Sequence, residues 1–151
     1  LGPFDPKKKI IEYVIADAAD SRLVRMDLVA FANETASESP APGGGSIAAY
    51  AGALGASLGA MVANLSAGKR GWEEQTAYFS QVAVQCQNIK DGLLRLVDAD
   101  TRAFDGIMQA FALPKATDEE KKARSAAIQA ATKVAIETPL QSMRLANESF
   151  E

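Results

Sequence analysis

The chain has no histidine, so its chemistry must come from carboxylates, lysine, arginine, tyrosine, serine or the backbone. Ser-His-Asp and Cys-His catalysis are excluded, and the commonest transition-metal ligand is missing. The single cysteine, Cys86, can neither close an internal disulfide nor hold zinc alone, and it reads as a core residue. Two runs remain. In Leu96-Val97-Asp98-Ala99-Asp100-Thr101-Arg102-Ala103-Phe104, Asp100 falls on a heptad seam between Leu93, Leu96 and Ile107. A carboxylate there is costly to desolvate unless it has a partner or a task, and acid-base chemistry near neutrality is one such task. A buried polar residue that fixes helix register fits the same position. Asp98, two residues away, reads as part of a solvent face with Asp91 and Asp105, paired with Arg102 at i,i+4.

The second run is Pro40-Ala41-Pro42-Gly43-Gly44-Gly45-Ser46, placed directly before an apolar helix. Two prolines stiffen the approach, and three glycines let a ligand come within hydrogen-bonding distance of the main chain. Ser46 is a natural cap, and the unpaired amides of the first turn offer an anion or carbonyl site that no Asp or Glu of that turn occupies. The pattern is neither a nucleotide P-loop nor a dinucleotide fingerprint. A flexible turn is the plainer alternative. Lys69-Arg70 closes the following helix, where cations suit the dipole; the same pair could hold a ligand carboxylate. Lys115, Lys121 and Lys122 read as ordinary solvated charge.

These residues need rigid elements to position them, and the periodicity is helical throughout. Asp5-Pro6 opens a short helix over 5–14, and 17–21 is a polar break. A second helix is expected over 22–36, with Val24, Leu28 and Phe31 on one face. A third, over 46–68, has a seam of Ile47, Leu54, Leu58, Met61 and Leu65 beside a ladder of Ala48, Gly52, Ala56 and Ala60, and is expected to be the central, most buried helix. Residues 72–113 read as one helix of about 40 residues, hence ~60 Å long. Pro114 stops it, Thr117-Asp118-Glu119-Glu120 is a capping box, and a last helix, kinked at Pro139, runs to the end. With no sustained strand alternation, the class is all-α: an elongated antiparallel bundle of long helices, incomplete at its C-terminus, with apolar surface left for a partner subunit.

The composition, 48% apolar and 23% charged with a net charge of −3, is that of an ordinary globular domain and argues against binding driven by phosphate neutralisation. The N-terminus shows no signal-peptide architecture, which together with the lone cysteine points to a cytoplasmic protein. Residues 46–68 carry no charge and are long enough to span a bilayer, but their Ala, Gly and Ser content and the lack of aromatic belts favour a buried helix, with no membrane partner expected.

Taken in order, Pro40-Ala41-Pro42-Gly43-Gly44-Gly45-Ser46, Met61-Val62-Ala63-Asn64-Leu65, Gly68-Lys69, Asp98-x-Asp100-x-x-Ala103-Phe104 and Leu113-Pro114-Lys115 resemble the cyclodeaminase/cyclohydrolase family over about 22–151. Pro3-Phe4-Asp5-Pro6 through Tyr13 is similar to the segment joining the halves of bifunctional formimidoyltransferase-cyclodeaminases, so 1–21 is expected to be a joining segment. The resemblance implies an all-helical domain that dimerises and has a tetrahydrofolate derivative as substrate, with no tightly bound cofactor and no metal. It implies cyclisation of a formimidoyl group onto folate with loss of ammonia, as in histidine degradation, and a formimidoyltransferase domain upstream. It further implies Asp100 as acid-base group, Asp98 as its helper, Pro42, Gly43, Gly44, Gly45 and Ser46 around the pterin, and Lys69 and Arg70 on a glutamate-tail carboxylate. The sister cyclohydrolase and a catalytically silent dimerisation module are the competing expectations.

Overall fold

The structure, a computed structural model, describes residues 23–150. The expected helix over 5–14 and the joining segment lie outside the described residues. Four helices follow one another with no strand among the described residues: α1 (Leu28–Thr35), α2 (Gly44–Ala67), α3 (Thr76–Ala112) and α4 (Asp118–Glu148), with 3-10 turns at Leu23–Arg25 and Glu73–Gln75. The all-α bundle read from the periodicity is the observed architecture.

The expected helix over 22–36 is two elements. Asp27 adopts an extended conformation and its side chain accepts the Ala30 amide at 2.7 Å, which caps α1 and separates it from the Leu23–Arg25 turn. The capping box before α4 forms as read: Thr117 Oγ1 accepts the Glu120 amide at 3.1 Å, and Glu120 Oε2 accepts the Thr117 amide at 3.0 Å. Pro139 sits inside α4, which stays helical to Glu148; its missing N–H deprives the Ala135 carbonyl of its usual i+4 donor.

α2 and α3 lie antiparallel, and their contact is set by a seven-residue register. A Cβ added at Gly52 would meet Leu93 Cδ1 at 3.2 Å, one at Gly59 would meet Cys86 Sγ at 3.1 Å, and one at Gly45 would overlap the Asp100 carboxyl group. Gly45, Gly52 and Gly59 thus face Asp100, Leu93 and Cys86, each seven residues apart on its own helix. Around them Ala49, Ala53, Ala56, Ile89, Leu96 and Val97 close the core together with Leu23. This corrects the expected packing of α2. Ala49, Ala53, Ala56, Ala60 and Ala63 are enclosed, whereas Ala48 of the expected ladder is exposed and Leu54, Leu58, Met61 and Leu65 are half or more exposed. Only glycine and alanine let the α2 backbone come so close to α3, and this turns the aliphatic seam outward. By length and composition α2 qualifies as a membrane-crossing helix, with a third of its most apolar window buried.

α3 begins at Thr76 rather than 72, because the Glu73–Gln75 turn intervenes. At 37 residues it is roughly 55 Å long. Gly71 takes a positive φ of 85°, and its amide donates to Glu73 Oε1 at 2.9 Å, a bond that holds the Glu73 carboxyl below its ordinary pKa.

Candidate functional site

The site grows from the N-terminus of α2. Gly43, not Ser46, is its N-cap, extended at φ −88° and ψ −179° with no side-chain bond. Ser46, expected as the cap, lies three residues into the helix and is fully enclosed; its hydroxyl donates to the Val97 carbonyl at 2.8 Å. The cap's place is filled from α3. Asp100 Oδ2 accepts the Ser46 amide at 2.9 Å and lies 3.2 Å from Ser46 Oγ. The first turn has no acid of its own, as read, yet it is not vacant: the carboxylate comes from 54 residues away in sequence. There it meets the positive end of a 24-residue helix dipole.

Asp100 is half-buried and fixed by its partners. Both of its hydrogen bonds fall on Oδ2, and among the described residues Oδ1 accepts none. A cavity of about 190 Å³ opens beside it, lined by Pro40, Gly43, Asp100, Thr101, Phe104 and Ala135. Gly45 has no room for a side chain, because Asp100 Cγ would lie 2.5 Å from its Cβ. Pro42 is buried next to the cap, after a cis Ala41–Pro42 peptide bond. The amides of Gly44 and Gly45 remain as first-turn donors with no partner among the described residues. One anchored carboxylate, the Pro40 and Gly43 backbone and an aromatic wall thus meet around a cavity that could take a polar ligand and exchange a proton with it.

Asp98 is a correction. It is 5% exposed rather than on a solvent face, and its partners are not Arg102 but the Leu23 amide at 2.7 Å and the Val24 amide at 3.4 Å. The 3-10 turn before α1 covers that face of α3. Asp98 therefore anchors the chain entering the bundle and does not line the cavity.

Lys69 and Arg70 are placed apart from the rest. They follow the C-terminus of α2, roughly 36 Å along the helix from Gly43. Lys69 Nζ sits 4.3 Å from the Trp72 ring centroid, and Trp72 stacks on Phe79 at 5.5 Å. Within one chain they stand a full helix length from Asp100. Thr101 and Ala135 line the cavity without having been singled out. The signal for Ala135 was Pro139, four residues on, which frees its carbonyl; Thr101 had none beyond adjacency to Asp100. Among the described residues no three Cys, Asp or Glu side chains converge as a metal site.

Comparison with known proteins converges on one family. The sequence model of Formiminotransferase-cyclodeaminase matches residues 27–151. The formimidoyltransferase-cyclodeaminase of Gallus gallus is 44% identical over 140 residues, 92% of this chain but 26% of that protein. The methenyltetrahydrofolate cyclohydrolase of Methylorubrum extorquens is 44% identical over 121 residues, covering 80% of this chain and 58% of that one. Among solved structures, the formiminotetrahydrofolate cyclodeaminase of Thermotoga maritima superimposes with a TM-score of 0.70 at 27% identity, over 82% of this chain and 58% of the other. The chain thus spans about a quarter of the length of the bifunctional relatives. With the family match over most of its residues and the same helical fold in a solved relative, the chain belongs to the formiminotransferase-cyclodeaminase family.

Proposed function

We propose that the chain supplies a folate cyclodeaminase site, closing 5-formimidoyltetrahydrofolate to 5,10-methenyltetrahydrofolate with release of ammonia. In that reaction folate N10 attacks the amidinium carbon, its proton is removed, the same carbon's amino group is protonated, and ammonia leaves as the cationic methenyl bridge forms. One proton moves from N10 to the departing nitrogen, so a single carboxylate serves as base and then acid. Asp100 is that group, and its charge also opposes the cation that develops. Its fixed position against α2 and beside the cavity is the observation that carries the reading. Pro40 and Gly43 border the space for the pterin, the Gly44 and Gly45 amides lie next to it in the chain, Ser46 and Gly45 hold Asp100 in place, and Asp98 acts from behind the site through the backbone it anchors.

The cyclohydrolase reaction, in which the same carboxylate activates water against the methenyl bridge, is the second reading, favoured by the 44% identity to the Methylorubrum extorquens enzyme. Supplying 5-formimidoyltetrahydrofolate and following methenyl absorbance together with ammonia separates them. Stoichiometric ammonia and methenyl product support the deaminase. Hydrolysis of supplied methenyltetrahydrofolate without ammonia formation from the formimidoyl compound supports the sister reaction, and neither activity leaves a silent helical module.

The proposal extends to assembly and setting: a cytoplasmic homodimer, with a formimidoyltransferase domain as its upstream partner. Ala48, Ala51, Gly55, Leu58, Val62 and Leu65 form an exposed stripe of alternating fours and threes along α2. Two such helices pairing antiparallel about Gly55 would bury it.

A further inference from the structure

A second cavity of about 300 Å³ lies nearer the α3–α4 connection, lined by Lys115, Lys121, Arg124, Ser125, Ile128 and Gln129. The register of α4 places both cavities on one face, and an apolar strip on α3 runs the same way. On α4, Ala135 of the first cavity and Ile128 of the second are seven residues apart, two helical turns and roughly 10 Å. On α3, Phe104 of the first cavity is followed at spacings of four and three by Met108 and Phe111, each about half exposed. The Arg124 guanidinium lies 5.5 Å from the Phe111 ring centroid. Its Nε and Nη2 donate to the Phe111 carbonyl at 3.3 and 3.2 Å, so the cation is held at the end of this apolar strip. Lys121 is paired with Asp118 at 2.8 Å, an exposed bridge that a ligand carboxylate can displace. Glu120 is not a competitor, since its carboxylate is spent on the Ala116 and Thr117 amides.

We infer that Lys115, Arg124 and Lys121 form a carboxylate subsite for the acidic tail of an elongated ligand whose head sits at Asp100, its middle lying along Phe104, Met108 and Phe111. On the folate reading, on which this rests, the head is the pterin, the middle the aminobenzoyl ring, and the tail one or more glutamates. The role expected of Lys69 and Arg70 thus passes to cations on the same chain and the same face as the Asp100 cavity.

The test separates tail from head. Binding of p-aminobenzoyl-triglutamate, a tail without a pterin, is measured by calorimetry to the native chain and to Lys115→Ala/Arg124→Ala, Lys122→Ala and Lys69→Ala/Arg70→Ala, with circular dichroism as the folding control. Tetrahydropterin, a head without a tail, is titrated in parallel. The expected result is tail binding that weakens with salt and falls about tenfold or more in Lys115→Ala/Arg124→Ala, with Lys122→Ala and Lys69→Ala/Arg70→Ala near native and tetrahydropterin binding unchanged. Partial retention in Lys115→Arg supports the same charge contact. No tail binding to the native chain, equal binding in all variants, or loss confined to Lys69→Ala/Arg70→Ala overturns the subsite. Tail binding with the expected losses but no tetrahydropterin binding keeps the subsite and refutes the folate head.

Discussion

Two aspartates separated by one residue do opposite work. Asp98 is enclosed and accepts two main-chain amides, so Asp98→Ala orphans the Leu23 and Val24 donors and should lower unfolding stability by about 2 kcal/mol in urea titration. Asp100 sits at the cavity edge, where stability depends on it less and geometry more. Gly45→Ala tests this, since the new methyl must push the Asp100 carboxyl away from the Ser46 amide. Turnover should drop at least tenfold while the melting temperature moves by only a few degrees; an unimpaired rate would show that the carboxylate's position is immaterial. The heptad count singled out Asp100 correctly as facing the partner helix. It misread Asp98 because the periodicity of one helix does not reveal a short turn from elsewhere that covers its outer face.

At the level of helices, most of the fold was written in local signals. The capping box, Pro114 and the long α3 seam gave three boundaries to within a few residues, because caps and breakers act through neighbours in the chain. The orientation of α2 was harder to read. Its aliphatic seam and its small-residue ladder are both helical stripes, and hydrophobicity favours the first, whereas close packing on Leu93 and Cys86 selects the second. Leu93, wholly enclosed and seated against Gly52, is the centre of that packing. Leu93→Ala is expected to cost about 3 kcal/mol in chemical denaturation. A cost below about 1 kcal/mol would mean that the α2–α3 register is not what holds the core together.

Over the whole molecule, the sequence motifs proved to lie at two ends of a long bundle. The glycine run and Asp100 meet at one end of α2, while Lys69 and Arg70 close the other. Proximity in the motif order said nothing of this, because a helix carries its termini apart by its length. The exposed stripe on α2 belongs to this scale as well. Leu58 and Leu65 are 60% and 69% exposed, and a charge at either would be buried without a partner in the proposed antiparallel pair. Leu58→Asp and Leu65→Asp should therefore convert a dimer to a monomer in sedimentation velocity, while helicity is retained. Variants that sediment like the native chain would place the contact elsewhere.

The central claim is that one carboxylate, held at the start of α2, moves the proton that closes the ring. The direct measurement is single-turnover methenyl formation from bound 5-formimidoyltetrahydrofolate by the native protein and by Asp100→Asn, with substrate affinity measured on both. The account predicts a rate lower by about 10²–10⁴ with affinity changed only a few-fold. A rate within a few-fold of native, with the variant folded and binding, would contradict it.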